Sequence, residues 1–309
     1  MTSELFGQVQ EFPDPASGER FANLVGLDDV KARLVNEAAV LLDPSLLDSW
    51  AREHHPDASA AVRAVSERVP LIVLAGDVGT GKTEIAETVG DPISRMLGID
   101  VVLYPLSLTA RGTGLVGQMT ALITAALAEI RDQASKARNR NGQVTRGLVL
   151  LVDEADSVAQ SRELAQMHHE DRAGVNALIQ GVDSFRKERL PVLTILCTNR
   201  IDAIDPAVAR RAAHVFEFER PDEQQRVHVL TEAFAATDVS DEEIHATAVC
   251  LGATGGRGWG ATYSDLRQRF VPDAVMDAFI HKQPITGARL VELASTFLPT
   301  RPFGEKTDG

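Results

Sequence analysis

Cysteine is almost missing from this chain. Only Cys197 and Cys250 occur, and neither stands at metal-ligand spacing. That sparseness suits a reducing compartment. The eight histidines fall as scattered singles and two pairs, His54-His55 and His168-His169, so there is no zinc-finger or HExxH pattern. Long apolar runs are lacking too. The longest are about six residues, far too short to span a bilayer. The opening MTSELFGQVQEFPDPASGER has no signal-peptide core, and the expected location is cytoplasmic. Positive charge is scarce. A net charge of −13 and a pI near 5.1 argue against nonspecific nucleic-acid binding, though not against a local basic patch. No internal repeat is visible. What remains is ordinary globular material, 44% hydrophobic and 24% charged, long enough for one large domain or one large and one small.

Within that ordinary composition one stretch is specific. Gly76-Asp77-Val78-Gly79-Thr80-Gly81-Lys82-Thr83 fits G-x-x-x-x-G-K-[ST], the loop that cradles nucleotide phosphates. Glycines let successive backbone N–H groups turn inward toward phosphate oxygens. Lys82 supplies positive charge near the β- and γ-phosphates, and the Thr83 hydroxyl is a Mg²⁺ ligand. The context agrees. The apolar run Leu71–Ala75 precedes the loop as a buried strand, and a helical stretch over Glu84–Leu97 follows. The helix N-terminus adds its own positive field. A dinucleotide fingerprint fails, because Glu84 stands where the third glycine belongs.

Further apolar strands are expected at Val101–Leu106, Gly147–Val152, Pro191–Thr198 and His214–Phe218. Strands alternating with helices imply an α/β fold, a parallel five-stranded sheet between helices. Val175, Leu178, Ile179, Val182 and Phe185 recur at helical spacing as core contacts. Residues 45–69 read as helical. After about Pro221 the strand signal ends, and Ser240-x-x-Glu243 and Thr262-x-x-Asp265 read as capped helix starts. The expected organisation is a polar tail at 1–20, a large domain at 21–221, a small helical lid at 222–298 and a polar tail at 299–309.

Leu148–Glu154 (LVLLVDE) is an apolar strand ending in two acids, about 70 residues after the phosphate loop. In a P-loop protein Asp153 holds Mg²⁺ and Glu154 polarises the attacking water. Asn199, ending the strand ILCTN, fits a sensor of that water or of the γ-phosphate; an ordinary turn asparagine is the alternative.

With IDPAVARR at 204–211 added, the chain resembles the AAA+ ATPases. FANLVGLDDVK, GDVGTGKT, LLVDEADS and TNRIDAIDPAVARRAAHVFEFERP carry the resemblance, which covers roughly residues 21–270. It implies a AAA+ P-loop domain with a small α-helical lid, working on ATP and Mg²⁺. It implies that Val25 and Gly26 line the adenine. It implies that Arg210 or Arg211 is a finger reaching a neighbouring subunit's nucleotide. A second finger is usual three residues after the first, but Ala213 stands there, so the choice between Arg210 and Arg211 is open. The usual lid arginine falls near Ser264, where Arg267 or Arg257 would have to substitute; Arg267 is the one carried forward.

The segment Gly112–Gln118 follows the second strand, where ring-forming members carry a substrate-gripping pore loop. Leu115, Val116 and Gly117 fit it, with leucine for the usual aromatic; a buried leucine on a glycine-rich connection is the alternative. Gln160–Asp171 could supply a second such loop, with His168 and His169 near its tip, or be a plain exposed loop. The basic run Arg131–Arg146 reads as a solvated connection. Within AAA+ proteins the chain is most similar to the pachytene-checkpoint remodellers, above all their compact bacterial relatives. LLDPSLLDSWAREHH, IDPAVARRA and GLVGQMTALITAAL carry that likeness. It implies a homo-hexamer that uses ATP to open a HORMA-domain protein and so regulates a bacterial cyclic-oligonucleotide antiphage system (CBASS). Two departures stand out: GDVGTGKT replaces GPPGTGKT, and only about 20 residues precede the ATPase region. Rival readings are a Rubisco-activase-type or protease-associated unfoldase, a DNA-associated motor, and a nucleotide-locked scaffold.

Overall fold

The apolar runs fold as strands, as their composition requires. Leu71–Gly76 (β2), Asp100–Pro105 (β3), Arg146–Val152 (β4) and Val192–Thr198 (β5) are buried along nearly their whole length. His214–Phe218 (β6) alternates more. In this computed structural model the described residues are 5–55, 57, 59–107, 118–157, 169–200, 202, 204–254 and 257–303. Among them a sixth strand, Gln10–Phe12 (β1), completes a sheet of order β1-β3-β4-β5-β2-β6. Strands β3, β4, β5 and β2 run parallel, in registers such as Leu103↔Val149, Leu150↔Thr194 and Val73↔Leu196. Burial on both faces is why these strands read as continuous hydrophobic runs rather than alternating ones.

The chain forms two compact units. The first comprises Met1–Asn23, Asp28–Ala75 and Thr83–Glu217; the second comprises Leu24–Leu27, Gly76–Lys82 and Phe218–Gly309. In the first, the helices Gln118–Ser135 and His169–Lys187 bring Ile123, Leu127, Ile130, Val175, Leu178, Val182 and Phe185 onto Val73, Val102, Leu148, Leu150 and Leu196. The helical periodicity read over 175–185 is thus core packing, as expected. The helix expected over 84–97 is two, Lys82–Thr88 and Gly90–Leu97, divided at Val89. The helical segment 45–69 is likewise two, Ser45–His54 and Ser59–Ser66.

The expected polar tail at 1–20 needs correction. Strand β1 pairs antiparallel with β3, Gln10 facing Leu103. The helix Pro15–Ala22 follows, capped by Asp14, whose carboxylate accepts from Ser17 N at 3.0 Å. Phe6 is buried edge-on against Tyr104, ring centroids 5.2 Å apart. The strand is three residues long with one buried side chain, too short for periodicity to register. Phe12 packs on Gly90 so closely that an added Cβ there would collide with the ring. Gly90→Ala is therefore expected to destabilise the protein by about 1–3 kcal/mol, the usual cost of overpacking, read as a lower thermal midpoint.

The second unit is helical after Phe218: Glu223–Phe234, Asp241–Cys250, Val271–His281 and Gly287–Thr296. Leu230, Phe234, Ile244, Leu251, Leu266, Phe270 and Leu290 form its core. Both predicted helix starts are realised. Ser240 and Glu243 form a reciprocal capping box. Thr262 Oγ1 accepts from Asp265 N, and Asp265 Oδ2 accepts from Thr262 N, each at 3.0 Å. A third box, Asp222 with Gln225, opens the first of these helices. Burial pushes the Asp265 carboxyl up, but hydrogen bonds from Thr262, Thr300 and Arg269 outweigh it and hold it below its ordinary value. Residues 299–303 are accordingly no free tail: Thr300 N and Oγ1 both donate to Asp265.

Candidate nucleotide site

The phosphate loop divides between the units at the Lys82–Thr83 peptide bond. Its shape explains its glycines. Gly76, Gly79 and Gly81 have φ of +150°, +75° and +99°, conformations costly for any residue with a Cβ. At Gly79 a Cβ would also stand 2.7 Å from Thr262 Oγ1 and 2.9 Å from Ser264 Cβ. Thr80 is fully buried and donates its hydroxyl to the Asp77 carbonyl at 2.8 Å. Lys82 is 6% exposed and donates to the same carbonyl at 2.7 Å. Val78 is exposed, on the outer side of the turn.

Asp77 is the loop's unusual member, and the structure shows what it meets. Arg220, just past β6, places Nε at 2.8 Å and Nη2 at 2.5 Å from Asp77 Oδ2. Sequence reading missed Arg220. An isolated arginine after a strand carries no motif, and only an acid inside a phosphate loop hints that a cation must answer it.

The segment Leu24–Leu27 belongs to the same unit. Gly26 has φ +71°, and its carbonyl accepts from Gln225 Nε2 at 3.2 Å. An added Cβ on Gly26 would meet the Tyr263 hydroxyl at 2.7 Å. Burial, reinforced by the Asp222 charge, pushes that hydroxyl up to about 12. Val25 packs against the helical core. These are the residues the resemblance assigns to the adenine, with Gln225 and Tyr263 as partners it did not foresee.

For the lid arginine, Ser264 occupies the expected slot and its backbone N donates to Gly79 O at 3.1 Å. Arg267, partly exposed, pairs with Glu232 at 3.2 Å. Arg257 donates to the carbonyls of Gly252, Trp259 and Phe297, which assigns it a structural role. Asp265–Phe270 is a π-helical turn. Its i→i+5 closure shifts the helical phase, so spacing rules borrowed from a regular helix do not transfer to Arg267.

In the first unit Thr83 Oγ1 donates to Asp153 Oδ2 at 3.0 Å, joining the end of the phosphate loop to the end of β4. These are hard oxygen donors, which suit Mg²⁺. Glu154 is exposed, with φ +51°, a left-handed backbone for a residue with a side chain. Its N–H donates to Asp153 Oδ1 at 2.9 Å. Such geometry costs about 1–3 kcal/mol and concentrates at functional sites. Asn199 is half-buried immediately after β5. Thr198, beside it, hydrogen-bonds to Asp156 and to the Arg200 backbone.

Asp205 caps the short helix Pro206–Ala209, accepting from Ala207 N at 2.7 Å, and so fixes the exit on which both arginines sit. Arg210 is exposed, its Nε donating to Pro206 O at 3.2 Å. Arg211 is more tethered, with Asp183 at 3.3 Å and Ala207 O at 3.0 Å. Leu115, Val116, Gly117 and His168 lie outside the described residues, as does the side chain of His169, whose backbone opens the helix His169–Lys187.

Comparison with known proteins follows the same lines. Residues 72–220 match the model of the ATPase family associated with various cellular activities (AAA). CD-NTase-associated protein 6 of Escherichia coli strain MS 115-1 is 44% identical over 300 residues, covering 97% of this chain and 96% of that protein. A chain in the structure of the E. coli MS115-1 HORMA:CdnC:Trip13 complex superposes with a TM-score of 0.92 at 42% identity, covering 98% and 99% of the two chains. Rhizobiales Trip13 gives a TM-score of 0.76 at 41% identity, covering 96% and 100%. With its phosphate loop, paired acids and helical second unit, this chain belongs to the AAA ATPases, in the family of the CD-NTase-associated protein 6 proteins.

Proposed function

We propose that this ATPase works as a homo-hexameric ring that spends ATP on opening or disassembling a HORMA-domain protein complex, and so regulates a cyclic-oligonucleotide antiphage system. The observation that carries the reading is the 0.92 TM-score, over nearly the full length of both chains, to a chain described in a HORMA:CdnC:Trip13 complex. Lys82 binds the β- and γ-phosphates, and Thr83 and Asp153 hold Mg²⁺. The metal, when bound, offsets phosphate charge. Glu154 orients and deprotonates the attacking water, and Asn199 senses it. Arg210 or Arg211 completes a neighbour's site, and Val25, Gly26 and Arg267 contribute to the nucleotide pocket. Leu115, Val116, Gly117, His168 and His169 grip the substrate chain.

The exposed carboxylate of Glu154, next to Asp153, favours turnover over a nucleotide-locked scaffold, since it can take a proton from water. The test is a mixture of the Glu154→Gln variant, MgATP and a purified HORMA-domain protein, run on a sizing column. Co-elution at the mass of six copies plus the partner is expected. A monomer that ignores the partner under MgATP would overturn the reading.

A further inference from the structure

The acid within the phosphate loop is a chemical oddity that the family's activity does not explain. A carboxylate in a loop built to attract phosphates works against it, since like charges in a partly desolvated site repel strongly. We propose that Arg220 is a positioning residue for ATP binding: it is the built-in counter-ion that neutralises Asp77 and holds that carboxylate, and with it the loop, in the phosphate-accepting shape.

The geometry is specific. Arg220 engages Asp77 Oδ2 through both Nε and Nη2, at 2.8 and 2.5 Å. The two side chains are only 14% and 18% exposed. Nη1 donates to Gly260 O at 2.6 Å and Thr300 O at 2.8 Å, so the guanidinium is anchored on the side away from the acid. Asp77 Oδ1 accepts from Val78 N at 2.8 Å and Phe303 N at 3.2 Å. The carboxylate is therefore saturated by donors. Its own backbone carbonyl is in turn the shared acceptor for Lys82 and Thr80. A line of contacts runs from Arg220 through Asp77 to the lysine that binds phosphate. Two guanidinium N–H groups converge on the single oxygen Oδ2, and the planar guanidinium, held by its other nitrogen, fixes orientation as well as charge, which a lysine would not do.

Arg220→Ala leaves an unanswered acid, so affinity for Mg-AMP-PNP, measured by calorimetry, is expected to fall roughly tenfold to a hundredfold. Asp77→Asn added to Arg220→Ala removes the offending charge, and affinity is expected to return to within about threefold of the wild type, a coupling far outside simple additivity. If the pair were only a structural tie, the second substitution would remove further contacts and bring no recovery. Saturating-ATP turnover should change much less than KM in Arg220→Ala, since the catalytic base, Glu154, is untouched. Thermal melts of the nucleotide-free variants identify folding defects. If Arg220→Ala does not fold, Arg220→Gln, which keeps length and a donor, is carried through the same cycle. Wild-type affinity in the single variant, or a double variant no better than the single, overturns the proposal.

Discussion

Glu154→Gln is expected to lower kcat for ATP hydrolysis by about 10²–10⁴-fold, the range of a lost general base, while binding ATP normally. At 1.36 kcal/mol per decade that is about 3–5 kcal/mol of transition-state stabilisation. Glu154 is exposed, and its only described hydrogen bond is made by its backbone N–H to Asp153. The carboxylate is thus not committed to holding the fold, so replacement by the isosteric amide removes proton affinity and little else. The left-handed φ remains, because glutamine tolerates it as glutamate does. Phosphate release under saturating MgATP reads the loss, and calorimetric titration reads the retained binding. Turnover within about threefold of wild type would remove Glu154 from its role as catalytic base.

Lys82→Ala is expected to weaken MgATP binding by about a hundredfold or more, because it deletes a charge-assisted contact in a site where water is scarce. Lys82 is 6% exposed and its ammonium is held by the Asp77 carbonyl, so its position is set in advance rather than sampled. Binding energy lost there reappears as lost thermal protection. A ligand at 100 times its Kd adds about 2.7 kcal/mol to folding, and the variant should forfeit that shift at the same MgATP concentration. A normal nucleotide-induced shift in Lys82→Ala would break the phosphate-loop assignment.

How far the sequence exposes these features depends on their range in the chain. The phosphate loop and the paired acids were legible because each is a short run with fixed spacing, and because strands buried on both faces announce themselves as apolar runs. Both capping boxes at Ser240 and Thr262 were legible for the same reason: partners three residues apart. Strand β1 was not, since three residues with one buried side chain leave no period to detect. Arg220 was not, since its partner lies 143 residues away. A lid arginine was not legible: Ser264 stands in the expected slot, just before the π turn Asp265–Phe270 that contains Arg267. Arg210 and Arg211 stay equal by motif. The structure separates them only by tether, Arg211 being bound to Asp183 and Arg210 to its own helix.

The pair Asp77–Arg220 also constrains the order in which this protein can change. A lineage that loses Arg220 while Asp77 remains passes through a form with impaired ATP binding, whereas one that first replaces Asp77 does not meet that barrier. On the proposed pairing, the path that replaces the acid first is the open one. In this chain the acid that departs from the family's usual GPPGTGKT and the arginine that answers it are present together.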